Sequence, residues 1–387
     1  MIKPNRLKKG DKVAIVSLSR GLLGEDKYIH ILDIAKERLE NEYGLEVVVM
    51  PNALKGNKYL YEHPASRAED LMNAFKDKSI KAVINAIGGD DTIRLLPYID
   101  FNIIKNNPKI FMGFSDTTVN HFMMYKAGLV SYYGGSLMNN WGEYVEINEY
   151  TKDALDKAFF DPQEKYEIKS SKYCSYVDKK VYWNIDNINI KREVEEEHNG
   201  YEVLQGKGKV LGKLLGGCIE TFIYLIGTLL WPTLDEWKDK ILFIEVSDEE
   251  KSDLPEYYFA WILRNLEAQG ILNVIKGIIV GKPPVREKYE SYNEIIFDII
   301  SVDGKHVDLP IICNVNFGHA YPIGIIPIGI ECELDCDNKK ITILEKFTNW
   351  NKIYNKENSR ILNKVIDHEK EEYGFNCLVH FYQNNIL

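Results

Sequence analysis

A serine stands where an apolar run gives way to a helical one: KIFMGF leads straight into Ser115-Asp116-Thr117-Thr118. A strand passing directly into a helix puts the hydroxyl on a tight turn at the carboxyl end of a sheet, where α/β proteins place their sites. The unsatisfied N–H groups of the helix start then point at whatever the serine holds, and they suit an oxyanion. The pattern is close to a nucleophile elbow but departs from Gly-x-Ser-x-Gly, because Thr117 occupies the last glycine position. The plainer alternative is that Ser115 or Asp116 only caps the helix.

Three other places could complete the chemistry. Gly88-Gly89-Asp90-Asp91 follows the apolar run KAVINAI, and two glycines at a strand end let backbone approach a ligand closely. An ordinary βα turn is the alternative. Glu245 closes the run KILFIE, where a carboxylate needs a partner or is costly. His319 lies in the Gly/Pro turn Asn316-Phe317-Gly318-His319-Ala320-Tyr321-Pro322, able to reach into a cleft; His63 and His121 are its rivals, and His121 reads as packing. A serine hydroxyl attacks poorly at neutral pH unless a histidine takes its proton and a carboxylate orients that histidine. Ser115, Glu245 and His319 supply those types in one of the chain orders that triads adopt. Each of the three also admits a purely structural role.

Other chemistries are poorly supported. There is no GxGxxG at a first βα turn and no GxxxxGK[ST], so dinucleotide and P-loop sites are not expected. The six cysteines are scattered without a CxxC pair. Cys332 and Cys336 lie four apart in a strand-like stretch with no neighbouring histidine, so reduced, buried thiols are expected rather than zinc ligands. No metal and no cofactor is expected.

The elements that must position these residues alternate in the first part of the chain. KVAIVSLS, LEVVVM, KAVINAI and KIFMGF read as buried strands; 29–43, 66–75 (capped by Ser66) and the segment from Ser115 to the closing Gly128 read as helices. Unbroken apolar strands, each followed by a helix, indicate a parallel sheet covered on both faces. From about 160 to 206 the pattern fails and an acidic cluster appears (Glu193, Glu195 to Glu197), which reads as a linker with a long surface loop. Beyond it, KILFIEV, VIKGIIVGKP, LPIICNVN and KKITILE read as strands, and 257–269 as a helix ended by Gly270. The predicted fold class is α/β: an N-terminal parallel-sheet domain with flanking helices plus a C-terminal β-rich α/β domain. The predicted boundaries are 1–160, a linker and substrate loop at 161–205, 206–345, and an appendix at 346–387 with a helix at 360–372 and a strand at FNCLVHFY.

The chain has 387 residues, enough for two cores, and a net charge of −10 from 48 basic and 58 acidic side chains. That balance argues against nucleic acid or an anionic membrane as partner, since both need a basic face. The apolar part of the N-terminus, VAIVSL, is too short for a signal segment, and no run approaches a membrane span, so a cytoplasmic location is expected.

Together these blocks resemble the LD-carboxypeptidase family of serine peptidases, and within it the microcin C immunity branch. The likeness runs over about 3–345 and is carried by KKGDKVAIVSLS, the block from RAEDLMNAF to RLLPYID, PKIFMGFSDTT, YYGGSLM, GKLLGGCIETFIYLIGT, ILFIEVSDE, GIIVGKP and NVNFGHAYPIGIIPIGI. The resemblance implies Ser115 as nucleophile, His319 as base and Glu245 as its orienting acid. It implies oxyanion donors near Gly89 and Asp116, a substrate site at Gly88 and Cys218, a swivelling C-terminal domain, and a homodimer. Leu18 stands where the family commonly has proline and Cys218 where asparagine is frequent. Members of the family cleave either murein tetrapeptides or the bond joining an aminoacyl or peptidyl group to a nucleotide, the latter with a loop aromatic stacked on the base. Trp183, in KKVYWNID, is the expected platform, with packing of the loop as the alternative. A peptidyl- or aminoacyl-nucleotide is therefore the expected substrate, with a murein tetrapeptide as the alternative; a ligand-binding protein of the same fold without catalysis is the reading from another class.

Overall fold

The computed structural model describes residues 1–247 and 254–350. The expected helix at 360–372, the FNCLVHFY strand and Cys377 lie outside the described residues. Met1–Asn349 form one compact unit. Its described residues carry two large sheets and one two-stranded ribbon.

The first sheet is built from β1 (Lys12–Val16), β2 (Glu46–Val49), β3 (Ile80–Asn85), β4 (Ile110–Gly113) and β5 (Ser131–Tyr133). The second is built from β6 (Tyr166–Ile168), β9 (Glu202–Gln205), β10 (Lys209–Cys218), β11 (Lys240–Glu245), β12 (Gly277–Gly281), β13 (Ile311–Val315), β15 (Glu331–Asp335) and β16 (Lys340–Ile343); β7 (Tyr173–Cys174) and β8 (Glu195–Glu196) pair only with each other. β14 (Ile326–Ile328) completes the first sheet, whose order is β14-β5-β4-β3-β1-β2, all parallel except β14 on β5. The second sheet has the order β6-β16-β15-β10-β11-β12-β13-β9, with a parallel centre from β10 to β13 and antiparallel edges. The fold is thus mixed α/β with a β-rich second half, as the strand patterning predicts.

β4, β12 and β13 are buried along their whole length because both faces of the sheet are covered there. Ile241, Leu242, Phe243 and Ile244 of β11 are fully buried. Each contributes about 1.5–3 kcal/mol by leaving water. A continuous apolar cluster joins the two sheets, and β14 explains how: a segment from the C-terminal half hydrogen-bonds to β5 of the N-terminal half.

Several local expectations are corrected. Ser66 is not the cap of its helix, which runs Pro64–Lys76 behind His63; proline is well suited to a first helical position because it lacks the N–H that would go unpaired there. The helix from 29 spans His30–Glu37 and loosens into a wider turn over Arg38–Glu42. The segment after β4 opens as a short tight turn, Ser115–Thr117, before the α-helix Thr118–Lys126. The stretch expected as linker and loop ends in strands on both sides: β6 adds to one edge of the second sheet and β9 to the other. Between them the chain forms a strap, and its acidic cluster has partners, Glu195 on Arg286 and Glu197 on the buried Lys282. Among the described residues no helix is long and apolar enough to cross a membrane.

Candidate active site

Ser115 follows β4 near the middle of the first sheet and has φ +61°, a left-handed conformation that is costly for a residue with a Cβ. The turn is braced from below. His121, on the following helix and fully buried, places Nε2 2.9 Å from Gly113 O and Nδ1 2.8 Å from Ser131 Oγ. Nε2 therefore carries the proton and Nδ1 accepts from the serine. Burial pushes this histidine down to about 4, so it is a neutral strut, as expected of a packing residue.

The Gly-Gly loop lies on this turn. A Cβ at Gly88 would fall 3.0 Å from Ser115 Oγ and 3.4 Å from Asp116 N, so only glycine fits there. One at Gly89 would fall 2.2 Å from Ser19 Oγ. The Asp116 side chain is buried and accepts from the N–H groups of Asp91 (3.1 Å) and Thr92 (2.9 Å), tying the loop to the serine turn. Burial raises its carboxyl above the usual range. Asp91 is gripped from the other side by the fully buried Arg67 through two N–H groups at 2.7 and 3.1 Å.

Glu245 ends β11 and His319 follows β13. Glu245 is buried, and its Oε2 lies 2.8 Å from His319 Nδ1 and accepts the His319 N–H at 3.1 Å. Its Oε1 takes the Tyr133 hydroxyl at 2.5 Å, and the same phenolic oxygen accepts the Ser115 N–H at 3.1 Å. Tyr133, at the end of β5, thus bridges the serine turn and the carboxylate. Burial first, then Glu245, holds its hydroxyl well above the usual tyrosine range, so it stays a donor. The Phe114 ring packs on His319 with centroids 4.8 Å apart. Gly318 has φ +77°, and a Cβ there would sit 2.3 Å from Glu245 Cδ.

Cys218 ends β10 directly opposite Glu245 in the parallel register. Its N–H donates to Thr118 Oγ1 (3.0 Å), whose hydroxyl in turn donates to Ser115 O (2.6 Å). Its thiol lies 3.0 Å from Glu220 Oε2 and is held well above the usual range by burial, then by Glu220. Cys218, Glu245 and His319 each offer one possible metal-ligand atom, all within 4.8 Å of one another. Two of those groups are already joined by the Glu245–His319 hydrogen bond. Cys332 and Cys336 are buried and free, as expected.

The strap covers this site. Ser175 N–H donates to Tyr321 O at 3.0 Å and Val177 N–H to Pro284 O at 2.9 Å. Trp183 is half-buried, edge-on to Tyr28 at 6.5 Å between centroids, with Lys180 Nζ 5.8 Å from its own centroid. It is not part of the wall of the cavity over His319.

Ser115 with Gly88, Gly89, Asp116 and Cys218 on one side, and Glu245 with His319 on the other, are therefore gathered by the ends of β3, β4, β10, β11 and β13. Tyr133 and Gly318 were not singled out from sequence. A tyrosine inside an apolar strand carries no local mark of a polar task, whereas Gly318 directly before a candidate histidine was a usable signal.

An α/β fold with a strained serine turn beside a buried Glu–His pair is that of a serine hydrolase. The chain belongs to the LD-carboxypeptidase family: residues 13–134 match its N-terminal domain and 211–334 its C-terminal domain. A similar solved structure is an MccF-like protein from Streptococcus pneumoniae in complex with AMP, at 33% identity and TM-score 0.78, covering 86% of this chain and 98% of that one. The microcin C7 self-immunity protein MccF of Escherichia coli is 27% identical over 74% of this chain and 80% of its own length. A Bacillus subtilis protein named a probable murein peptide carboxypeptidase is 28% identical over 88% of this chain and 94% of its own.

Proposed function

We propose that Ser115, His319 and Glu245 act as a triad that hydrolyses an amide-type bond in a peptidyl- or aminoacyl-nucleotide. The observation that carries the triad is Glu245 Oε2 accepting from both the ring and the backbone of His319, beside a serine turn on which Gly88 lies. Ser115 Oγ attacks the carbonyl carbon while His319 Nε2 takes the hydroxyl proton. Glu245 keeps the Nδ1 proton in place and offsets the charge on the imidazolium. The oxyanion is received by the N–H groups of Gly89 and Asp116. Collapse expels the leaving amine, which takes the proton from Nε2 and leaves an acyl-serine. Water then attacks the ester with His319 as base, and the carboxylic acid departs from a regenerated Ser115.

The nucleotide part of the proposal is supported by the AMP held by the pneumococcal relative and by the strap over His319, whose Tyr176 lines the cavity there. A murein tetrapeptide is the second reading, favoured by the near-complete overlap with the murein-type relative. A side-by-side assay of an aminoacyl sulfamoyl adenosine and a murein tetrapeptide tests both, with wild type, Ser115→Ala and Trp183→Ala. Ser115→Ala is expected to lower kcat on the order of 10⁶-fold. Full turnover by that variant ends the proposal. Trp183→Ala is expected to raise KM for the nucleotide substrate about tenfold and to spare the peptide; no change in either rejects the stacking role.

A further inference from the structure

We infer that Arg192 is a specificity residue that binds an anionic group of the substrate next to the scissile bond; this rests on the hydrolytic reading of the site. Two cavities meet at the same three side chains, Glu143, Arg192 and Tyr321. On one side is a small space of about 40 Å³ walled by His319 and Phe114. On the other is a chamber of about 790 Å³, large enough for most of a drug-sized ligand. A substrate whose carbonyl lies near His319 and whose bulk occupies the chamber has to pass Arg192.

The state of that guanidinium is unusual. Its side chain is only 15% exposed. It is stacked on the Tyr321 ring, 4.3 Å from the centroid, which fixes its plane two residues from His319. Its Nε is buried with no hydrogen-bond partner among the described residues. The nearest carboxylate, Glu143 Oε1, is 3.6 Å from Nε, beyond hydrogen-bond length. Burial pushes the Glu143 carboxyl up, and the charge and donors of Arg192 oppose it, so the two side chains form a loose ion pair that a stronger acceptor can displace. A mostly buried guanidinium packed on an aromatic ring, with Nε unpaired and one loosely placed carboxylate beside it, is matched by a carboxylate or a phosphate-type oxyanion, which the planar fork can take two-pronged. Two substrate chemistries present such a group: the terminal carboxylate of a peptide and the phosphate or sulfamoyl link of an aminoacyl nucleotide.

The test uses substrates in pairs that differ only in that group. One pair is a peptide with a free terminal carboxylate and its carboxamide; the other is an aminoacyl nucleotide and the corresponding nucleoside lacking the phosphate-type link. For the pair that wild type turns over, kcat/KM should favour the charged member, and Arg192→Gln should shrink that preference about 30-fold, mostly through KM. Arg192→Lys should restore part of it, since the charge remains and the fork does not. Glu143→Gln should act in the opposite sense and lower KM for the charged member, because a competing carboxylate is gone. Thermal melts of all variants separate these effects from loss of fold. The inference is overturned if Arg192→Gln slows both members equally, as a merely structural clamp would predict, or if Glu143→Gln weakens the charged member. Binding of the same pairs to Ser115→Ala, with and without Arg192→Gln, reads the preference without turnover. If wild type cleaves neither pair while the Ser115→Ala protein still prefers charged members through Arg192, the hydrolytic reading fails and the anion site stands. If binding shows no preference, the anion site falls whatever the catalysis.

Discussion

Glu245 Oε2 receives two hydrogen bonds from one residue, the ring Nδ1–H of His319 at 2.8 Å and its backbone N–H at 3.1 Å. The double grip fixes where the ring sits as well as which nitrogen carries the proton. Glu245→Gln keeps the shape but can turn its amide N–H toward the imidazole, which stabilises the wrong tautomer. The expected loss is about 10⁴-fold in kcat with KM little changed, as for removal of a triad carboxylate's charge. Steady-state kinetics with a folding control checks this, and a loss under tenfold would mean that Glu245 does not orient the base.

Tyr133 ties the two halves of the site through one oxygen, donating to Glu245 Oε1 and accepting from Ser115 N. Tyr133→Phe leaves that carboxylate oxygen and that N–H without their partner in a buried setting. A loss of about 1–3 kcal/mol in stability is expected, together with a kcat reduced about 10- to 100-fold, because both the serine turn and Glu245 gain freedom. Chemical denaturation and kcat on one preparation test the claim. Unchanged values in both would show that the bridge is idle.

His121 gives a pH dependence with a definite sign. Its folded value is lowered to about 4, against an ordinary 6.5, so between those values the unfolded chain binds the proton that the folded chain refuses. The stability it contributes is complete above pH 6.5 and is lost as pH falls toward 4, roughly 3 kcal/mol in all. Protonation would also force an N–H against Ser131 and disturb the strut under Gly113 O. The stability difference between wild type and His121→Gln, measured by urea unfolding, should therefore narrow by about 2 kcal/mol between pH 7.5 and pH 4.5. A difference that does not vary with pH refutes the assignment.

Much of this site is legible in the sequence because its parts lie at junctions. Ser115, Gly88-Gly89, Glu245 and His319 each end an apolar run, and the end of a buried strand is where polar chemistry can begin. What was not readable depends on contacts distant in sequence. β14 is a three-residue apolar strand in a run of Gly/Pro turns, and nothing local says that Ile326–Ile328 will pair with β5 rather than with its own half. The acidic residues of the strap look like a solvated loop until Arg286 and the buried Lys282 are placed opposite them. Ser66 was a reasonable cap by residue type, but Pro64 two positions earlier fixes the first turn. Tyr133 shows no polar role until β5 is laid beside β4.

Gly318 offers the most local test of how the acid is held. It has φ +77°, and any Cβ would lie 2.3 Å from Glu245 Cδ and 2.5 Å from Oε2. Gly318→Ala therefore adds two costs, the left-handed conformation itself and a collision with a carboxylate already fixed by Tyr133 and His319. Gly10 isolates the first of these, since it has φ +83° and nothing within 4 Å of its would-be Cβ. Gly10→Ala should cost about 1–2 kcal/mol in stability while kcat stays as in wild type. Gly318→Ala should cost more stability than that and reduce kcat at least about 100-fold, because either the turn that carries His319 or the carboxylate has to move, and small misplacements cost about that much. Unfolding curves and kcat measured on both variants separate the two costs: equal stability losses with kcat intact in both would mean that the turn absorbs the methyl group, and that the Glu245–His319 geometry does not depend on a glycine at this position.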